Sequence, residues 1–157
     1  MKEGAHDTDE CEIMMNRLSE ADWGQVVEIN KRIQSHEGPW GEIRGGVPDS
    51  SGVTEMPYSV LDPLINEFVS LWYEKDLVLL FDWASWQEGR DWYANDNDGK
   101  YETLDTETAL KLLTAVIRNN RFNEGALLNA FESGVFPKII DKLVQLIKNA
   151  RDSAESR

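Results

Sequence analysis

Apolar positions recur at helical spacing along most of this chain, interrupted by two polar stretches. From Ser19, which can cap with Asp22 three residues on, Trp23, Val26, Val27, Asn30 and Ile33 fall on one face, until Gly38 and Pro39 stop the pattern. Residues 40–57, WGEIRGGVPDSSGVTEMP, hold scattered apolar residues among glycines and prolines and read as a loop or a short hairpin turning near Pro48-Asp49. Asp62 caps and Pro63 opens a second helix, with Leu64, Ile65, Phe68, Leu71 and Trp72 on its stripe and an end near Lys75. Leu77–Phe81 is too short for an independent helix; it is either a buried extended segment or the lead into a short helix that Asp82 caps and that carries Trp83 and Trp86.

A polar turn region follows between Trp92 and Asp105, and beyond it the pattern is helical. Asp105 or Thr106 caps a helix with Leu110, Leu113, Val116 and Ile117 on one stripe; Lys111 and Arg118 suit the negative end of its dipole. Asn123 is the expected cap of the next helix, which carries Leu127, Leu128 and Phe131 and finishes at Gly134. Pro137 opens the last one, with Ile139, Ile140, Leu143, Val144, Leu146 and Ile147. That face is wider than one core contact needs, so the helix is either buried between neighbours or carries an interface. The expectation is a mainly α, compact, single-domain bundle of about five to six helices over residues 18–149, with room for one hairpin near 40–57. Residues 1–17 read as a flexible acidic tail and 150–157 as a fraying end.

Composition narrows the possible functions. The 157 residues contain 29 acidic and 16 basic side chains, a net charge of −13. Coating a phosphate backbone takes clustered Lys and Arg, so direct nucleic-acid binding is not expected. The charge is unevenly placed: residues 1–105 carry 23 acidic and 8 basic side chains, whereas 106–157 carry 6 and 8. An acidic front could attract a basic partner, or simply keep the protein soluble. One cysteine, Cys11, allows no intrachain disulfide; no apolar run approaches the ~18 residues of a membrane span; and the acidic start lacks the features of a signal peptide. A cytoplasmic protein with no membrane partner is expected.

Recognisable catalytic chemistry is thin. Fitting the NDNDG segment to a calcium loop places Gly99 at the sixth position and Asp96, Asp98 and Asp105 at ligand positions, but puts Ala94 where the first ligating Asp is required. His6 and Cys11 lie in the tail, and His36 stands near a helix end with no triad-like context. HExxH, CxxC, GxSxG and glycine-rich phosphate loops are all missing, so neither a metal nor a cofactor is expected. Two segments stand out. FDWASWQ sets Trp83 and Trp86 around Asp82, and RNNRFNEG places Arg118, Arg121 and Glu124 around Phe122 at a helix-to-helix turn. The arginines could grip an anion or a partner's carboxylate. Alternatively, Arg118 or Arg121 pairs with Asp82 or Glu124 and buttresses the turn, with the tryptophans as core.

In these segments the sequence resembles the domain-of-unknown-function family 6508. The resemblance runs from LSEADW at Leu18 through GGVPDSSGVTEMPY, FDWASWQEGR and LLTAVIRNNRFNEGALLNAFESGV to KIIDKL at Leu143. Its most specific elements are Phe81-Asp82-Trp83 with Trp86, Leu112-Leu113-Thr114, Arg118, Arg121-Phe122, Glu124-Gly125, and Phe131 with Gly134. It implies a compact, mainly helical domain and no established reaction. The family typically has Cys or another small residue where this chain has Asn123, and often His at Ala126, which argues against catalysis at those two positions.

Three functions fit these features. A non-enzymatic protein-interaction or regulatory domain suits the missing catalytic constellation, with a protein partner or a homodimer formed through the last helix. An inhibitor could present the front carboxylates to a nucleic-acid-binding protein, as a mimic of its ligand. A small-anion binder or enzyme would use Arg118, Arg121 and Glu124 beside Trp83 and Trp86.

Overall fold

The computed structural model describes residues 17–155, so nearly all of the expected acidic tail and the last two residues lie outside it. The first helix, α1 (Glu20–Gln34), starts at a reciprocal capping box: Ser19 Oγ accepts from the Asp22 amide at 3.0 Å and Asp22 Oδ2 from the Ser19 amide at 3.1 Å. A hairpin follows, in which β1 (Gly41–Arg44) pairs antiparallel with β2 (Tyr58–Leu61). The hairpin expected near 40–57 is present, but its second strand lies further on. Val53 and Met56 are exposed on an intervening arm, which closes on itself through the Pro48–Thr54 bridge and the Asp49 carboxylate, the acceptor for the Ser51 and Val53 amides.

Asp62 caps α2 (Pro63–Glu74) through the Leu64 amide at 2.9 Å. Asp76, at φ 58°, then turns the chain into an extended strap that reaches a 3₁₀ turn at Trp83–Ser85 and α3 (Gln87–Ala94). A 3₁₀ segment at Asp98–Thr103 leads to α4 (Thr106–Asn119), capped by Asp105 through the Thr108 amide at 2.7 Å. Next come α5 (Ala126–Glu132) and α6 (Val135–Glu155). Helix α6 starts two residues before Pro137, so the proline occupies its first turn, where no amide partner is needed. It also continues past the expected end at Asn149. Arg151 explains this: it donates to the Leu18 carbonyl, pairs with Glu20 at 2.8 Å and lies over the Trp23 ring.

Helix α4 runs through the centre of the bundle, with Ala109, Leu110, Leu112, Leu113, Thr114 and Ile117 buried. An aromatic cluster forms beside it: Phe68 lies 4.3 Å from Trp72 and 6.0 Å from Phe131, which is 5.3 Å from Phe136 and 4.8 Å from Trp40. Most of the wide face of α6 is consumed here, since Ile139, Ile140, Leu143, Val144 and Ile147 are buried within the chain, with Phe136, while Leu146 is half-buried. The apolar stripe that motivated a dimer through the last helix is therefore covered by α1 and α4. Asn30 is buried between α1 and α6, donating to Asp141 at 3.1 Å and accepting from Gln34 at 3.1 Å. Among the described residues, no helix is long and apolar enough to cross a membrane.

Two predictions follow from this packing. Phe131→Ala removes a ring held by three aromatic neighbours and should lower unfolding free energy by about 3–5 kcal/mol in urea titration. The Lys75 ammonium, 2.7 Å from Asp22, holds that carboxyl below its ordinary 3.8, and Asp22 in turn raises Lys75 above its ordinary 10.5. A depressed carboxylate contributes stability above its unfolded value and loses it as pH falls through the folded one; the raised lysine contributes below 10.5 and loses it as pH rises further. Lys75→Met should therefore melt lower than the wild type across the range between those limits, and the gap should close as pH drops below 3.8.

Candidate functional site

The strap after α2 has no ladder partner, yet its backbone crosses the core surface and must be satisfied. Leu77 is buried, and its amide donates to the Trp72 carbonyl at 2.8 Å. Leu79 is held by two side chains one turn apart on α4. Its amide donates to Thr114 Oγ1 at 3.0 Å, and its carbonyl accepts from Arg118 Nε at 3.1 Å. Thr114 is fully buried for this purpose. Arg118 is thus a backbone clamp through Nε, and among the described residues it pairs with no acidic side chain.

Beyond the clamp, Phe81 and Trp86 meet edge to face at 5.4 Å, with the Lys111 ammonium 5.4 and 5.9 Å from their rings. Lys111 is also paired with Glu107 at 3.0 Å. The Trp86 indole lies across Gly89, where any Cβ would collide with the ring. Trp83 instead turns toward the α4–α5 turn and stacks on Phe122, with centroids 6.1 Å apart and planes 25° off parallel. Asp82 is exposed and makes no capping bond to the 3₁₀ turn it precedes.

The turn between α4 and α5 is built from the Asn119 carbonyl, which accepts from the amides of Phe122 and Asn123 at 2.9 Å each. The expected cap at Asn123 is replaced. Gly125 occupies the cap position at φ 96°, a left-handed conformation that glycine adopts freely, and Asn120 Oδ1 reaches across to accept from the Leu127 amide at 3.1 Å. Glu124 points to the hairpin and accepts from the Ser59 amide at 2.9 Å. Arg121 is exposed; its amide donates to the Arg118 carbonyl at 3.3 Å, and its side chain has no hydrogen bond or ion pair among the described residues.

The candidate residues therefore separate. Trp83 and Phe122 come together with Arg121 beside them; Trp86 belongs to the Phe81–Lys111 cluster; Arg118 and Glu124 are committed to backbone groups. The turn is held by hydrogen bonds to backbone groups; the expected pairing of Arg118 or Arg121 with Asp82 or Glu124 is not formed among the described residues. Neither of two open cavities includes any of these residues: a groove of about 680 Å³ between α1 and α2, and a space of about 260 Å³ at the base of the hairpin.

His36 has a partner that sequence spacing did not reveal. Its Nε2 lies 3.1 Å from Asp62 Oδ2, 26 residues away, and its ring stacks on Trp40 at 3.7 Å. The Leu64 amide, then His36, hold the Asp62 carboxyl below its ordinary range. His36 Nδ1 is buried without a hydrogen-bond partner among the described residues. The group pins α1 to the start of α2.

Of the positions in the calcium-loop fit, Asp105 caps α4 by accepting from the Thr108 amide. Among the described residues, no group of three or more His, Cys, Asp or Glu could hold a metal ion.

No curated protein and no solved structure matches this chain. A model of one family, described as a family of unknown function (DUF6508), matches residues 18–149, most of the chain, and the protein belongs to that family.

Proposed function

We propose that this domain is a non-enzymatic, cytoplasmic protein-interaction module whose contact surface is centred on Phe122. The observation that carries this is the exposure of a large aromatic at a rigid position: Phe122 is 80% exposed although its ring is backed by Trp83 and its amide is fixed in the turn. Leu80, 92% exposed, follows the clamped Leu79 on the adjoining strap. Arg121 supplies an uncommitted cation beside them. Aromatic and arginine side chains on a preorganised backbone are the usual anchors of protein interfaces. The partner that fits is a protein segment presenting an apolar side chain next to a carboxylate.

The other readings have less support. A nucleic-acid mimic needs free carboxylates, yet many in the acidic front are engaged inside the chain: Asp62 and Asp105 as caps, Asp49 in its turn, Asp22 and Glu67 in ion pairs with Lys75 and Arg32. An anion site built on Arg118 and Glu124 would have to share them with backbone partners, since Arg118 Nε donates to the Leu79 carbonyl and Glu124 accepts from the Ser59 amide.

Two sets of variants separate contact from support. Phe122→Ser and Arg121→Glu, compared with the full wild-type chain as bait in native extract, should lose the captured partner while stability changes by less than about 0.5 kcal/mol. Retention of the partner by both would overturn the proposal. Thr114→Val and Arg118→Met should each cost about 1 kcal/mol or more, because each strips a half-buried backbone group of Leu79 of its side-chain partner. At temperatures where these variants remain folded, the partner should be retained.

A further inference from the structure

Among the described residues the hairpin has one closed edge and one open edge. In β2, Ser59 faces Ile43 across the ladder but gives its amide to Glu124, while one step beyond the strand ends Asp62 gives its amide to the Trp40 carbonyl. Bonds alternate along an antiparallel ladder, so the inward-facing backbone groups of the first strand are the Trp40 carbonyl and the amides and carbonyls of Glu42 and Arg44. The amide and carbonyl of Ile43 therefore point away from β2. The turn covers the outer edge of β2 at Ser59; β1 has exposed residues from Glu42 to Arg44, and Ile43 is 66% exposed. An open strand edge is a template for another strand.

We propose that β1 pairs antiparallel with β1 of a second copy of this chain, about a two-fold axis at Ile43. The commitment to a second copy rests on charge. Outward-facing residues must meet outward-facing residues, which leaves few symmetric registers. Centring the axis on Glu42 sets carboxylate against carboxylate, and centring it on Arg44 sets guanidinium against guanidinium. Centring it on Ile43 lets the two Ile43 residues exchange both backbone hydrogen bonds and sets Glu42 of each copy opposite Arg44 of the other. Those cross-strand positions are a non-hydrogen-bonded pair, in which side chains approach most closely. Within one chain Glu42 and Arg44 already pair on a single face, so the dimer joins two ready-made pairs into an alternating network.

The exposed arm adjoins this edge: Gly45 and Gly46, both left-handed, turn the chain out of the strand line directly after Arg44. A four-residue edge alone buries far less than the roughly 800 Å² per partner of a standard interface. Val47, Val53 and the 85% exposed Met56 supply the additional apolar surface. This contact is distinct from the Phe122 surface and stands whether or not that surface binds a partner.

Charge exchange provides the test. Sedimentation equilibrium of the full chain from low to high micromolar concentration should show a reversible dimer. Arg44→Glu alone and Glu42→Arg alone should each lose the dimer mass, since each sets like charges opposite. Mixing these two variants should restore it as a heterodimer, and the double exchange Glu42→Arg with Arg44→Glu should restore it in a single chain. All these positions are exposed, so melting temperatures checked in parallel should stay close to the wild type. A wild-type mass that remains monomeric, or a dimer that survives Arg44→Glu, overturns the proposal; so does failure of both the mixture and the double exchange to recover it.

Discussion

A backbone segment laid against a core must have its amides and carbonyls satisfied, and in this protein that demand falls on one residue pair. The strap from Leu77 to Asp82 has neither a helix of its own nor a strand beside it at Leu79. Thr114 and Arg118 act there as a two-pronged surrogate for a neighbouring strand, one accepting and one donating, at the spacing of a helical turn. Much else depends on this. Anchoring Leu79 sets where the chain enters the 3₁₀ turn, which sets where Trp83 reaches Phe122 and where Trp86 lies over Gly89. A buried threonine hydroxyl and a half-buried arginine are costly in isolation; here each is balanced by a backbone group that would otherwise go unpaired.

The legible parts of the fold were those in which cause and effect are close in sequence. Ser19, Asp62 and Asp105 cap helices two or three residues away, and the stripes on α1, α2, α4 and α6 record burial directly. Links between distant residues were not legible. Arg118 was noticed as unusual, but its partner is a carbonyl 39 residues earlier, and every residue type has a carbonyl. The Asn120 cap was missed for a similar reason. Asn123 stands nearer the helix start, and only a left-handed glycine lets a side chain from the previous helix take over. His36 and Asp62 are each ordinary in their local context, and β2 was overlooked because the turn residues of the arm, not YSVL, dominate the pattern there. Of the candidate site, the sequence picked out the right turn and the right aromatics, but not which of them face solvent.

The acidity of the chain also takes on a more local meaning. A net charge of −13 looks like a solvated coat, yet individual carboxylates hold helix starts, close the arm, bridge α1 to α2 and tie the α4–α5 turn to the hairpin. Glu132 likewise accepts from the Trp40 amide at 2.6 Å, fixing α5 to the foot of β1. Much of this charge serves as a set of hydrogen-bond acceptors for amides that the irregular connections leave over.

The bond from Glu124 to Ser59 joins positions 65 residues apart, one in a tight turn and one in a strand. It makes the two lengths interdependent. An inserted residue between Asn119 and Gly125 would rotate the carboxylate off the strand, whereas the arm between Gly45 and Pro57 can grow or shrink without touching that bond. Among members of the family, length variation should therefore collect in the arm and spare the turn, giving the fold a fixed ruler on one side of the hairpin and an adjustable one on the other.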